Sequence, residues 1–407
     1  MRQALFVIAV MGIILASATP SFSKDTAKDF AKASNLFGFS MLNEIARKSP
    51  KDNIVLSPLS IDLALLMTWN GSAGVTEKEM AKTLRISDIS REGANRGIRA
   101  WTAQLTKADP LTQLNLANSL WINERYHVNP HFIAENKEEL QAEVHTLNFL
   151  NAVDAAHRIN TWVDQQTNHH IPTIVSPQQV HGAEMALINA VYFNGKWTHP
   201  FQTDDTQKAV FTPSDQSKIQ VMMMKKQGVM EYGDNSKAQI AVLPYGNGNT
   251  EAVIILPNPA QSAKEFLSKL SFAEFNEWLT QCKMRPGVLE LPRVKASYSI
   301  TLNQLLEKMG MRSAFIGSEA DFSRMSAEDR RDLFISLVLH KAQLDIGEKG
   351  TEASAATAVI MSRSAIMLPP KNAFRMIVDH PFLFCIREKT TGTILFIAWI
   401  ENPLQNG

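Results

Sequence analysis

Glu348-Lys349-Gly350-Thr351-Glu352-Ala353-Ser354-Ala355-Ala356-Thr357-Ala358-Val359-Ile360-Met361-Ser362 is the stretch on which the reading of this chain turns. From Ala353 to Ser362 it holds no charge, no Gly and no Pro, and Ala353 to Ala358 are all Ala, Ser or Thr. Two local structures are open to it. Alanine favours a helix, with Thr351 as N-cap and Glu352 in the first turn. At period two, Thr351, Ala353, Ala355, Thr357, Val359 and Met361 share one face and can all be buried without desolvating a charge, while the other face carries the lone charge of Glu352. Small leading side chains would let such a strand slip between existing strands.

Around this stretch the chain changes texture. Upstream of about residue 185 the apolar positions recur at threes and fours. Phe30, Ala33, Phe37, Met41 and Ile45 predict one amphipathic helix; Ile159, Trp162 and Val163 mark another over 152–168. Ser57-Pro58 reads as an N-cap followed by proline at the first helical position, opening a buried helix through Leu63, Leu66 and Trp69 that ends at Asn70-Gly71. Thr76 and Glu79 are spaced as a capping box. After residue 185, Ala190–Phe193, Ile240–Leu243, Ala252–Leu256 and Ile394–Ala398 are β-branched and aromatic runs, many apolar on both faces, as in a sheet covered on both sides. The expectation is an α+β fold with helices early and strands late. The 407-residue length alone suggests two or three domains, but there is no internal repeat and no Gly/Pro/Ser-rich linker.

Charge excludes some functions. Lys and Arg number 41 against 40 Asp and Glu, and 45% of residues are hydrophobic, so the chain has ample apolar material for a core and no basic excess for nucleic acid. Cys282 and Cys385 are too few for a disulfide scaffold and lack zinc-site spacing; whether they pair is open. Residues 1–23 read as a secretory signal peptide: Arg2, an apolar run from Leu5 to Leu15, and small residues at Ala16-Ser17-Ala18, with cleavage after Ala18 or Ser23. The apolar run falls short of the roughly 20 residues that span a bilayer. The expected product, residues 24–407, is secreted, or periplasmic in a Gram-negative source, with no membrane attachment.

A search for catalytic chemistry returns little. G-x-S-x-G, H-E-x-x-H and P-loop motifs are missing from the sequence, and Gly246-Asn247-Gly248 reads as a turn between strands. His169-His170 has no third ligand nearby, and Met222-Met223-Met224 reads as a strand packing its methionines. No metal, no cofactor and no enzymatic activity are expected.

Residues 348–358 resemble the hinge of an inhibitory serpin, and the likeness runs along the chain. Asn53-Ile54-Val55-Leu56-Ser57-Pro58-Leu59-Ser60 resembles the family's second-helix motif, and Leu187-Ile188-Asn189-Ala190-Val191-Tyr192-Phe193-Asn194-Gly195-Lys196-Trp197 its central-sheet strand. Leu291-Pro292-Arg293-Val294, Gly310-Met311, Ala320-Asp321-Phe322-Ser323 and Asp379-His380-Pro381-Phe382-Leu383-Phe384 follow in family order. Asn168-His169-His170-Ile171 departs from it, since the family commonly has Gly-Lys before the isoleucine.

The resemblance implies a single domain of three β-sheets and about nine helices over 24–407, with an exposed reactive-centre loop at about 348–370. It implies a monomer that meets a target serine protease as bait, forms an acyl-enzyme and inserts the cut loop into the large sheet. Gly350 matches the flexible hinge position, Thr351 the first inserting side chain, and Ala353, Ser354, Ala355, Ala356, Thr357 and Ala358 the small-residue run after Glu352. Glu348 and Trp197 match the breach, where insertion begins. Ser57, Ser60, Asn189 and His340 match the shutter, a polar cluster beneath the sheet. The scissile bond is Arg363-Ser364, which suits trypsin-like proteases with a carboxylate in the specificity pocket, or Ser364-Ala365 in the commonest family register. A noninhibitory serpin acting as carrier, chaperone or structural protein is the competing expectation; a secreted hydrolase is a third.

Overall fold

The amphipathic pattern that opens the chain forms the helix Thr26–Lys48, with Phe30, Phe37 and Met41 buried, in a computed structural model that describes residues 26–48, 52–105, 109–140, 142–259, 262–328, 332–351 and 373–405. The signal segment 1–23, Glu352 to Ala358, and the Arg363-Ser364-Ala365 bonds lie outside the described residues. Ten α-helices are found among the described residues, seven of them before Met185. None is long and apolar enough to cross a membrane.

The helix Pro58–Asn70 begins as the sequence indicates. Ser57 sits extended at the cap and its hydroxyl accepts the Ser60 N–H, while Pro58 takes a position where no backbone N–H is needed. Every residue of this helix is buried, because it lies between two sheets, against Thr112–Asn123 and Met185–Lys196 on one side and Ile394–Ile400 on the other. The next helix corrects an expectation. It starts at Gly74, with Ala73 as a cap that makes no side-chain bond, so Thr76 and Glu79 form no capping box. Their side chains instead bind a distant segment: Thr76 Oγ1 accepts the Asp321 N–H and Glu79 Oε2 accepts the Ser313 N–H.

Among the described residues, six strands make one sheet, in the order Val294–Thr301, Leu337–Gly347, Gly350–Thr351, Met185–Lys196, Thr112–Asn123 and Glu143–Leu147. The other nine strands among the described residues are hydrogen-bonded into one continuous array. Within it Ile219–Asp234 pairs through Ile219–Met223 with Gln207–Phe211 and through Met223–Tyr232 with Lys283–Pro292, but touches Ala238–Tyr245 only through Glu231–Asp234. This long strand therefore joins two sheets end to end, which gives the three sheets expected of the α+β fold with two of them fused. The front of the six-stranded sheet is covered by the helix Ala152–Gln166, whose Ala155, Ile159 and Val163 form a second core with Ala186, Ile188, Ala190, Leu337 and Leu339. The Met222–Met224 run lies in Ile219–Asp234 with Met223 and Met224 buried, and Gly246–Asn249 is the turn between two strands. Cys282 and Cys385 are free thiols.

Candidate functional site

The site is a slot in the six-stranded sheet. Met185–Lys196 and Leu337–Gly347 run parallel and pair directly from Ala186↔Leu337 to Val191↔Ala342. Beyond that point they part, and Gly350–Thr351 fills the gap antiparallel to both: Thr351 faces Ile346 on one side and Gly195 on the other. Of the hinge expected from the sequence at residues 348–358, Gly350 and Thr351 thus form a short strand that follows a turn at Glu348 and Lys349. Gly350 is required there. Its φ is +151°, and a Cβ would lie 2.0 Å from the Gly195 carbonyl oxygen, so any side chain would push the two strands apart.

Around the mouth of the slot, Tyr245, Trp197 and Arg293 hold residues 347–351 in place. Thr351 is 1% exposed, and its hydroxyl lies 2.6 Å from that of Tyr245, itself fully buried. The indole of Trp197 stacks on Tyr245 at 4.2 Å and donates through Nε1 to the Gly347 carbonyl, while its backbone N–H donates to the Lys349 carbonyl. Glu348 accepts from Arg293 through Nε at 2.9 and 3.1 Å and through Nη2 at 2.6 Å, and from the Thr206 hydroxyl at 2.7 Å. Burial alone would raise the Glu348 carboxyl, but these bonds outweigh it and hold the group below its usual range.

Below the slot, the seam between the two strands is closed by a buried polar row. Asn118, Asn189 and His340 occupy facing positions on three neighbouring strands. Asn189 Nδ2 donates to both Ser60 Oγ and Asn118 Oδ1, and Ser60 Oγ donates to Asn118 at 3.2 Å. His340 Nε2 accepts the Ser57 N–H at 3.3 Å. That acceptor role requires the proton on Nδ1, which donates to Asn189 Oδ1. Complete burial pushes the His340 pKa down to about 3, so the ring is neutral.

The structure therefore brings Ser57, Ser60, Asn189 and His340 into one cluster, and Glu348, Gly350, Thr351 and Trp197 into another at the top of the same sheet. Four partners were missed by the sequence reading. Arg293 was read only as part of a motif, and nothing in sequence links it to Glu348; Thr206 and Tyr245 lie in segments with no distinctive spacing. Asn118 had a signal: it stands in Leu116-Ala117-Asn118-Ser119-Leu120-Trp121-Ile122, where a polar pair inside an apolar strand implies a buried hydrogen-bonded group. His169 and His170 diverge, as adjacent residues should: His169 Nδ1 meets Asp164 at 2.6 Å while His170 stacks on Tyr192.

With this geometry in place, comparison with known proteins identifies the class. The sequence matches the family model Serpin (serine protease inhibitor) over residues 32–403. It is 33% identical over 386 residues to leukocyte elastase inhibitor A of Mus musculus, covering 92% of this chain and 100% of the relative. It is 32% identical over 375 residues to neuroserpin of Homo sapiens, covering 89% of each. The structure superimposes on Serpin48, described as a highly specific serpin in the insect Tenebrio molitor, with a TM-score of 0.82 and 29% identity, covering 92% of this chain and 98% of that one. The family so matched is one of protease inhibitors, not catalysts. The chain belongs to the serpin family.

Proposed function

We propose that this chain is a secreted inhibitor that traps trypsin-like serine proteases irreversibly, by offering the segment after Thr351 as a substrate and then taking it into the six-stranded sheet. One observation carries the reading: Gly350–Thr351 already occupies the head of a slot between two strands, and the sequence that follows is small and, from Ala353 to Ser362, uncharged. In the proposed reaction the protease serine Oγ attacks the Arg363 carbonyl. The peptide bond to Ser364 breaks, the Ser364 amine leaves with a proton, and the protease is left esterified to Arg363. The segment up to Arg363 then extends the Gly350–Thr351 strand between Met185–Lys196 and Leu337–Gly347 and carries the protease with it.

Insertion has an energetic basis. Around ten new ladder hydrogen bonds at ~1 kcal/mol each, with apolar burial added, amount to on the order of 10 kcal/mol available to distort the bound protease. The cost falls on the seam, whose parallel pairs from Leu337 to Ala342 must be broken. Arg363 suits a specificity pocket holding a carboxylate; cleavage at Ser364-Ala365 would point to an elastase-like target. Export rests on the Arg2 and Leu5–Leu15 leader, and action as a monomer completes the proposal. Titrating trypsin with the full chain tests it: activity should fall linearly to zero near equimolar inhibitor and not return on dilution, and sustained turnover of the inhibitor would defeat the reading.

A further inference from the structure

A cavity of about 420 Å³, within the range of small-molecule sites, lies on the far side of Met185–Lys196 from the slot. One wall is the six-stranded sheet, through Gln113, Leu114 and Asn115 of Thr112–Asn123 and Phe193 of Met185–Lys196. Gln104 and Leu105, at the end of the helix Arg91–Leu105, form a second wall, and Asn249, Thr250, Thr390 and Leu395 of the nine-stranded array and its turns a third. Successive side chains of a strand point to opposite faces, so a cavity lined by Gln113, Leu114 and Asn115 together runs along the strand's edge. That edge has no neighbouring strand. Thr112–Asn123 pairs with Met185–Lys196 from Thr112 to Ile122, but with Glu143–Leu147 only from Ser119 onward. Ala117 and Asn118 are buried, so the accessible edge is Gln113 to Leu116, about 13 Å at 3.3 Å per residue. This is short for the addition of a further strand and suits a small ligand.

The lining selects its ligand by charge and by hydrogen bonding. Two carboxylates reach the cavity, and both are engaged by main-chain N–H groups: Asp109 accepts from Leu111 at 2.9 Å and Asn247 at 3.0 Å, and Glu388 from Thr390 at 2.6 Å and Thr391 at 2.8 Å. No Lys, Arg or His is among the lining residues. An anion would meet two negative charges without a counter-charge, and a cation would have to displace bonds already made. A neutral ligand is left. The side chains of Gln104, Gln113, Asn115, Asn249, Thr250 and Thr390 line the same space and have no hydrogen-bond partner among the described residues. Each carboxamide presents a donor and an acceptor in one plane, and each hydroxyl can act as either. The buried Phe193 and Leu395 add apolar surface to the same cavity. Such a lining matches a molecule with many hydroxyls, each both donor and acceptor, and one face of C–H groups. We propose that this cavity binds an uncharged sugar ring, either a free monosaccharide or the end of a glycan chain. The site gives the chain a binding function separate from protease inhibition, and it does not depend on loop insertion.

The test titrates the full chain with D-glucose, D-mannose, D-galactose and N-acetylglucosamine to about 100 mM, following binding by ligand-observed saturation-transfer NMR and by the thermal midpoint. At least one sugar should bind saturably, with a millimolar dissociation constant, and raise the midpoint to a plateau; the general stabilisation by excluded sugars climbs without one. Glucose 6-phosphate and glucosamine, similar in shape but charged, should bind about tenfold more weakly or not at all. Asn115→Ala and Asn249→Ala should each weaken the sugar about three- to tenfold, the loss of one neutral hydrogen bond, with the midpoint in buffer unchanged. Immobilised oligosaccharides ending in the same sugar separate the two sources: capture of the chain supports a site for glycan ends, and binding of the free ring alone supports a small-molecule site. No saturable binding of any of the four sugars overturns the assignment, as does wild-type affinity in both variants. Binding confined to glucose 6-phosphate, or to an uncharged peptide with the sequence of residues 353–358, overturns it as well.

Discussion

His340 and Asn189 are partners twice over: they face each other in the parallel ladder that joins Leu337–Gly347 to Met185–Lys196, and their side chains are hydrogen-bonded beneath it. The same two residues would be separated by any strand entering between them. The pair therefore stabilises the closed sheet and resists the step that the proposed inhibition requires.

Replacing His340 by Ala leaves the Ser57 N–H and Asn189 Oδ1 buried without partners. Native stability should fall by about 2–5 kcal/mol in urea titration, and peptide uptake into the sheet should accelerate. His340→Gln, which can serve both partners, should recover much of the loss. An alanine variant as stable as wild type would show that the seam is held elsewhere.

Stability should depend on pH in two opposite ways. His340 has its pKa depressed to about 3 by burial, so the stability that depends on its neutral ring is complete above the ordinary value of 6.5 and is lost as pH falls from there towards 3. His380 behaves the other way. Burial lowers its pKa, but the Asp379 carboxylate at 2.8 Å and the Pro257 carbonyl at 2.9 Å raise it more, so its contribution is present below 6.5 and is lost as pH rises through the raised value. Urea midpoints from pH 4 to 9 should show both limbs, with His340→Gln flattening the acid limb and His380→Gln the alkaline one.

The Glu348–Arg293 pair offers a sharper test of what holds the turn before Gly350–Thr351. Glu348 is only 10% exposed but Arg293 is 44% exposed, so screening reduces the value of the pair. Glu348→Gln should cost about 1–2 kcal/mol by urea titration. Glu348→Lys should cost more, because it sets an ammonium against a guanidinium and also removes the acceptor for Thr206. Equal stability of the two variants would mean that the charge is irrelevant and only side-chain volume matters.

Thr351 should separate insertion from substrate binding. Its hydroxyl is paired with Tyr245 in a buried site, so Thr351→Arg has to bury a charge. We expect this variant to be cleaved by trypsin at the wild-type rate while its stoichiometry of inhibition rises at least tenfold, as a substrate's would. Thr351→Val, which removes the Tyr245 bond but buries no charge, should lose about 1–3 kcal/mol of stability and remain an inhibitor. An unchanged stoichiometry for Thr351→Arg would contradict the inserting role.

Much of the fold was legible because its signals are local. Ser57-Pro58 announces a helix start by cap chemistry, and Ile394–Ala398 announces a buried strand by its unbroken apolar run. The strands Thr112–Asn123 and Glu143–Leu147 were not foreseen, since their polar residues break the alternation: Asn118 is polar and buried because it serves a cluster brought together from four distant segments. Thr76 and Glu79 misled for a related reason, a capping-box spacing recruited to bind Ser313 and Asp321. The likeness of residues 348–358 to a serpin hinge indicated where the site lies. The slot itself, made where two parallel strands diverge around Gly350–Thr351, depends on contacts more than 150 residues apart and has no local signature.

The most direct test is to mix the full chain with trypsin, separate the products on a denaturing gel and determine their masses. The account predicts an adduct that survives denaturation, with the mass of trypsin plus the chain through Arg363, and a released C-terminal peptide beginning at Ser364. A chain cut at this bond with free, active trypsin and no adduct would contradict it.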